Sequence, residues 1–510
     1  MIKKFDLHPL LIASIPVLFI GARNLNELMF IDLFVPLLLS LGSATILTAV
    51  CFLFTKKVQS AILLSSAIFA FSFLYGHYID YLTIRHHVQS SLQLNLSYAL
   101  IGVILLVLVL VISCYKNALK TINSFITITS SVFLALIFFN GSMSYISQNK
   151  NTPSASSNDY PKVNYELSYH QDTESDVQEK PDIYYIILDG YARHDSLKNV
   201  HGYDNQPFLE DLKSQGFYIP TKSTSNYTMT HLSLPSSLNM NYINREVEIN
   251  GNQNYQPYFQ LIQNSQLVKC LKSFGYKIIT FSSGWGPTNN KWSTSDFHFG
   301  QRISLSDYQK AILRMTAFRN IIDSDEISLR LNALNQIKSI PKLSKTPKFT
   351  FVHLVMPHPP YLFDKDGNTV ALQQTTKTEK ELYVEQIQFL NTKISGIVQS
   401  IIAQSESIPI IILQADHGSE VYLESYKGGT PSIEQANERF SIFNAYYGPD
   451  ELKEKLYPTI TPVNSFRVVL NFLNMTSLPL LPDKNYFYWY YGDEKIQDLT
   501  AVVTQSPSVS

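Results

Sequence analysis

Asp182-Ile-Tyr-Tyr-Ile-Ile-Leu-Asp189-Gly190 is the stretch that decides the fold. Between its two acids every residue is apolar or aromatic, and most are β-branched or aromatic. A strand with one wet face would alternate with polar residues. This one does not, so it is read as a strand covered on both faces, the mark of a parallel sheet inside an α/β protein. It stops at Asp189-Gly190, which leaves a carboxylate at the carboxyl end of the strand.

Working outward, the same pattern returns at Tyr276–Ser282, Phe349–Leu354, Ile408–Gln414 and Phe440–Tyr446. Helix-like stretches at 205–215, 257–274, 377–405 and 464–474 separate these runs. Apolar strands alternating with helices predict a mainly parallel central sheet sandwiched in an α/β/α domain. Ligands of such sheets bind beyond the carboxyl ends of the strands. Three runs deliver polar groups to that edge: Asp189, His358 just past the third run, and Asp416-His417-Gly418 after the fourth.

The first 146 residues read differently. Apolar stretches run roughly 8–22, 29–54, 58–79, 94–114 and 121–141. A spanning helix needs about 20 mostly apolar residues, so five membrane spans are expected. Lys3, Lys4, Lys56, Lys57, Lys116 and Lys120 mark alternate segments as cytoplasmic, with Arg23 and Arg85 on the opposite segments. The amino terminus is then inside, and everything after about residue 142 is outside the cytoplasm. His77, Asp80, Tyr81, Arg85, His86 and His87 gather at one span end and read as interfacial anchors or lipid-headgroup contacts.

The expected layout is a transmembrane domain at 1–146, a polar Ser- and Asn-rich linker at 147–180, a catalytic domain at 181–485 and a tail at 486–510. A net charge of −1 and the lack of a basic aromatic stripe argue against nucleic acid as a partner. Only Cys270 lies in the polar part, so no internal disulfide is available there. Cys51, Cys114 and Cys270 read as packed apolar residues.

The chemistry-bearing residues gain meaning together. Asp189, Asp416 and His417 are good ligands for a divalent cation, although Asp-Gly and Asp-His pairs also make ordinary turns. Ser225-Asn-Tyr-Thr-Met-Thr230-His-Leu-Ser233-Leu-Pro235 offers hydroxyls at the start of a helix, as caps or as a nucleophile beside a metal. His353-Leu-Val-Met-Pro-His358-Pro-Pro-Tyr361 places one histidine inside a strand and one on a proline-rich loop.

This set resembles the sulfatase/alkaline-phosphatase superfamily. It is most similar to the membrane-anchored branch containing lipoteichoic-acid synthases and phosphoethanolamine transferases. Thr230-His-Leu-Ser233-Leu-Pro235 matches that branch's Thr-x-x-Ser-x-Pro setting and favours Thr230 over Thr228 as the nucleophile. The resemblance implies a metal held by Asp189, Thr230, Asp416 and His417, with Zn, Mn and Mg all open. It implies catalysis by Thr230 with His358, and substrate contacts from His353, Arg193 and Arg439. A membrane lipid or lipid-linked donor and a glycan or lipid acceptor are the implied partners. Two departures stand out. Asp189 replaces the Glu usual in these transferases, and no Cys/Ser-x-Pro-x-Arg motif for formylglycine occurs. The alternatives are a phosphate or sulfate ester hydrolase using the same site, and a non-catalytic envelope scaffold.

Overall fold

The computed structural model describes residues 6–24, 30–82, 91–151, 180–244, 256–300, 305–370, 375–423, 428–488 and 496–504. Arg85, His86, His87 and most of the expected linker and tail lie outside these residues. The described residues form two compact units. One holds Met1–Ala155 with Ser304–Asp325 and Gln373–Thr376, and the other holds the rest. The first unit therefore includes sequence taken from the middle of the catalytic half.

The first unit contains α1 (His8–Arg23), α2 (Phe30–Thr55), α3 (Val58–Asp80), α4 (Ser91–Ile112) and α5 (Lys116–Asn151). Four of these helices are long and apolar enough to cross a membrane, and α1 is a shorter apolar helix of 16 residues. Many large apolar side chains on α2, α4 and α5 point outward, among them Leu39, Phe54, Leu100 and Phe139. In water that would be costly, whereas in a bilayer it is the solvated face. Cys114 is exposed at the end of α4 rather than packed. The last helix runs to Asn151, past the expected start of the linker, because the Ser- and Asn-containing residues there propagate an existing helix.

The second unit is built on six strands: β1 (Ile183–Leu188), β2 (Lys277–Phe281), β3 (Phe297–Phe299), β4 (Lys348–Leu354), β5 (Ile410–Gln414) and β6 (Asn444–Tyr447). Their order is β3-β2-β4-β1-β5-β6. All pairs are parallel except β5 with β6, which is antiparallel at the edge. The short strand β3 has no apolar run of its own and escapes a reading based on hydropathy.

Helices cover both faces. After β1 the helices are, in chain order, α6 (His194–His201), α7 (Gln206–Ser214), α8 (Thr230–Asn239), α9 (Gln256–Gln263), α10 (Gln266–Ser273), α11 (Gly286–Asn289), α12 (Asp307–Arg314), α13 (Asn320–Gln336), α14 (Glu379–Gln404), α15 (Ile433–Phe440), α16 (Asp450–Lys453) and α17 (Pro462–Phe472), of which α12 and the start of α13 belong to the first unit. The stretch expected as one helix over 257–274 is two, because Ser265 caps α10 by accepting from the Val268 amide.

Alternate residues of β1 feed opposite cores. Tyr184, Ile186 and Leu188 pack with Leu212, Ile387, Ile394 and Ile397. Ile183, Tyr185 and Ile187 pack with Leu234, Leu238, Leu271 and Phe466. Each fully buried Ile or Leu stabilises the fold by about 1.5–3 kcal/mol. Gripped from both sides, β1 has little freedom to shift, and the residue after it is held accordingly. Asp189 continues the register, its amide donating to the Leu354 carbonyl at 3.0 Å.

Candidate active site

Two adjacent strands, β1 and β5, end in acids. Asp189 and Asp416 are 3% and 1% exposed. Gly190, with φ of 72°, turns the chain back so that its amide donates to Asp416 Oδ1 at 3.1 Å. That left-handed conformation is easy for glycine and costly for most other residues. Tyr383 of α14 locks the same turn, donating to the Gly190 carbonyl at 2.8 Å and accepting from the Ala192 amide at 3.1 Å.

His417 is 1% exposed. Its Nδ1 lies 3.0 Å from the Gly418 carbonyl, which can only accept, so Nδ1 carries the proton. Nε2 is then a lone pair, and it faces inward. It lies 3.5 Å from Asp189 Oδ1, 3.3 Å from Asp416 Oδ2 and 3.2 Å from Thr230 Oγ1. The Thr230 hydroxyl can donate to it. The two carboxylate oxygens cannot, and both are buried with no hydrogen-bond partner. Buried polar atoms without partners are rare in folded proteins. Here three acceptors converge within 4.8 Å of one another, the donor set and spacing that suit a divalent cation.

The charges agree. Burial alone would raise Asp189, but the charge of His358 and the hydrogen bond from His353 outweigh it and hold the carboxyl well below the usual range. Asp416 is pushed up to about 6 by burial and by the charge of Asp189. His417 is lowered to about 3 by burial and by Arg439, so the imidazole is neutral and ready to ligate.

Thr230 opens α8 at its first helical position, after Met229 in extended conformation. Its hydroxyl sits at the positive end of the helix dipole. Thr228, the other sequence candidate, is fully buried. It donates to the Tyr488 carbonyl at 2.5 Å and accepts from the Tyr488 amide at 3.1 Å, which commits it to holding the chain. Ser233, one turn along α8, donates to the Asp416 carbonyl at 2.5 Å and ties the helix to the end of β5.

His358 lines an open cleft of about 400 Å³ together with Tyr361, His417, Glu420 and Arg439. Its ring lies 6.2 Å from that of His417.

Three residues expected as substrate contacts have partners within the protein. His353 does not face the cleft. It is 1% exposed, behind Asp189, with Nε2 at 3.1 Å from Asp189 Oδ2 and Nδ1 at 2.9 Å from Thr288 Oγ1. The inward pleat of β4 aims it at the carboxylate. Arg193 is not among the cleft-lining residues. Asp195, two residues on, binds it at 2.7 and 2.8 Å, and the Ser223 carbonyl takes a third N–H. Arg439 does line the cleft, but it is 2% exposed and clamps backbone. Its Nε donates to the Thr228 carbonyl at 2.8 Å, and Nη1 donates to the Gly418 carbonyl at 3.1 Å and to Glu420 at 3.0 Å.

Sequence reasoning missed Tyr383, Thr288 and Glu420. Tyr383 lies within an amphipathic helix, and nothing in its local pattern separates it from a core aromatic. Glu420, two residues after Asp416-His417-Gly418, was the one within reach of a motif.

A sulfatase family model matches residues 181–466, more than half of the chain. The chain belongs to the sulfatase family, and it is an enzyme of the sulfatase/alkaline-phosphatase superfamily, a metal-dependent class. No curated protein matches it significantly. Among solved structures it is similar to the C-terminal periplasmic domain of EcEptC from Escherichia coli in complex with Zn. The identity is 13%, with 67% of this chain and 97% of that one covered, at a TM-score of 0.45. It is also similar to the integral membrane lipooligosaccharide phosphoethanolamine transferase A of Neisseria meningitidis. There the identity is 12%, with coverage of 91% and 95% and a TM-score of 0.41. The C-terminal periplasmic domain of phosphoethanolamine transferase EptC from Campylobacter jejuni matches at 14% identity, covering 59% and 91%, with a TM-score of 0.40.

Proposed function

We propose that this chain moves a phosphoryl-linked headgroup from a membrane lipid to a hydroxyl of a cell-envelope glycan or lipid, through a covalent phosphothreonine at Thr230. The observation that carries the reading is the aim of Thr230 Oγ1 at a lone pair flanked by two unpartnered carboxylate oxygens. Asp189, Thr230, Asp416 and His417 would hold a divalent cation (Zn, Mn or Mg), which when bound lowers the pKa of the hydroxyl and offsets phosphoryl charge.

Thr230 Oγ attacks phosphorus in line. An Oγ–P bond forms, and the bond from phosphorus to the diacylglycerol oxygen breaks. The first amides of α8 face the phosphoryl oxygens. His358, on the cleft wall, holds a phosphoryl oxygen or passes a proton to the departing oxygen. In the second step an acceptor hydroxyl attacks phosphorus, loses its proton, and the Thr230 oxygen leaves. Asp189 is kept ionised and oriented by His353, which Thr288 orients in turn. Arg439 ties the loop after β5 to the chain entering α8, so its role is positioning rather than direct anion binding.

The apolar helices hold the chain in the bilayer that carries its lipid. Lys56, Lys57, Lys116 and Lys120 favour a topology with the catalytic half outside the cytoplasm.

The test is incubation of the full chain in vesicles with headgroup-labelled phospholipid and a candidate acceptor. Mass spectrometry should find the headgroup phosphate on Thr230 and label on the acceptor. Free headgroup alone would mean hydrolysis at the same site. Unchanged function of Thr230→Ala would leave only a scaffold.

A further inference from the structure

The sequence between β3 and β4 contributes Ser304–Asp325 to the unit that holds the apolar helices. Its helix α12 is bound there by specific contacts. Tyr308 donates to the Val17 carbonyl of α1 at 2.5 Å. Tyr308 and Ile312 pack with Val17, Ile20, Leu33, Leu37 and Phe73 from α1, α2 and α3. The Gly76 amide of α3 donates to the Met315 carbonyl at 2.9 Å. A Cβ at Gly76 would collide with the Arg314 carbonyl oxygen, so this approach requires glycine. Arg319 closes the contact on Asp80 at 3.0 Å.

Those anchors fix a height. Gly76 and Asp80 form the last turn of α3, a 23-residue apolar helix, so the segment lies level with the end of a membrane span. That depth is the headgroup and upper acyl region, where aromatic and basic residues concentrate. At this level the segment turns two large apolar side chains outward. Phe318 is 64% exposed and Ile321 is 49% exposed, while Ile322 beside them is 3% exposed. The turn that presents them is ordered. The Phe318 amide donates to Thr316 Oγ1 at 3.1 Å, and the Ile321 amide donates to the Phe318 carbonyl at 3.0 Å. Toward the end of α3, Leu74 and Tyr81 are also exposed, at 57% and 56%.

We infer that residues 315–322 form an interfacial anchor, with Phe318 and Ile321 seated in the lipid leaflet at the carboxyl end of α3. The occupant of this surface is lipid, because the segment is bound to the end of a membrane span and its height is set by Asp80 and Gly76. An amphipathic surface at that depth is stabilised by apolar burial, with Arg319 kept at the headgroup level. The inference is independent of the reaction assigned to the catalytic site.

The experiment places a reporter at the tip. Phe318→Trp and Ile321→Trp are made in the full chain and reconstituted in phosphatidylcholine vesicles with and without acyl-chain bromine. The three native tryptophans are subtracted using the unsubstituted chain. Leu100→Trp, on the outward surface of α4, serves as the lipid control, and Ile408→Trp, exposed in the catalytic unit, serves as the aqueous control. Both tip tryptophans should be blue-shifted and quenched by brominated lipid, as at position 100, and protected from aqueous iodide. Quenching by iodide with no bromine effect, as at position 408, would overturn the anchor. Protection from both quenchers would overturn it too, because protein would then cover the patch. Having two reporter positions guards against one substitution disturbing the turn.

Discussion

Two buried polar clusters in this chain look alike in composition and differ in what they lack. In the helical unit, His8 bonds Ser66 at 2.6 Å and Asn123 at 3.3 Å, and Asn123 donates to Gln59 at 2.6 and 3.0 Å. The ring nitrogens of His8 and the amide of Asn123 find partners within the protein. In the catalytic unit, His417, Asp189 and Asp416 turn a lone pair and two orphan oxygens toward one point. A closed network rigidifies a fold, whereas an open one made only of acceptors is poised for a cation. A histidine near acids or amides is therefore uninformative until the donors and acceptors around it are counted.

The sharpest way to break this comparison is Thr230→Ala. It should cost about 10³-fold or more in turnover with folding and metal content unchanged, read by labelled-lipid turnover, circular dichroism and elemental analysis. Next comes Asp189→Asn with Asp416→Asn. Metal affinity should fall at least about 100-fold by titration calorimetry. Asp416→Asn alone should stabilise the metal-free protein by about 1–3 kcal/mol in denaturant unfolding, because burial and the charge of Asp189 disfavour its carboxylate and the amide supplies a missing donor. A loss of metal-free stability instead would mean the open cluster is structural after all.

His353→Phe should weaken metal binding about 10- to 100-fold while leaving Thr230 in place, since it removes only the group orienting Asp189. Thermal unfolding sharpens the contrast further. Zn at about 100 times its dissociation constant should stabilise the catalytic unit by about 2.7 kcal/mol. His8→Ala should lower the stability of the helical unit by about 1 kcal/mol, with or without metal.

A separate effect concerns pH. His201 bonds Ser419 at 2.9 Å, and burial and Lys380 lower its pKa from 6.5 to about 4. A lowered histidine is neutral in the fold and charged in the unfolded chain between those values. Its stabilisation is fully present above pH 6.5 and is lost as pH falls toward 4. The unfolding free energy should drop by at most about 3 kcal/mol over that window, and His201→Gln should flatten the drop.

Much of this was legible in the chain. Unbroken apolar runs at 183–188 and 410–413 declare strands buried on both faces, since no soluble alternative hides such residues so completely. The stretches at 29–54 and 58–79 declare membrane helices by length alone. Asp189, Asp416 and His417 were visible as polar groups gathered at strand ends because strand-end position is a local property. The partners of Arg193 and His353 were not, because hydropathy does not set side-chain direction. Asp195 captures one arginine, and the pleat of β4 turns the histidine behind Asp189.

By itself, then, the sequence determined the layers, the apolar helices and the edge of the sheet where polar groups gather, all of which follow from short-range hydropathy and strand length. Tertiary structure alone decided which threonine faces His417, which histidine supports Asp189, and that a segment from between two catalytic strands packs among the apolar helices. Those outcomes depend on contacts between residues tens to hundreds of positions apart, and no periodicity in the chain encodes them.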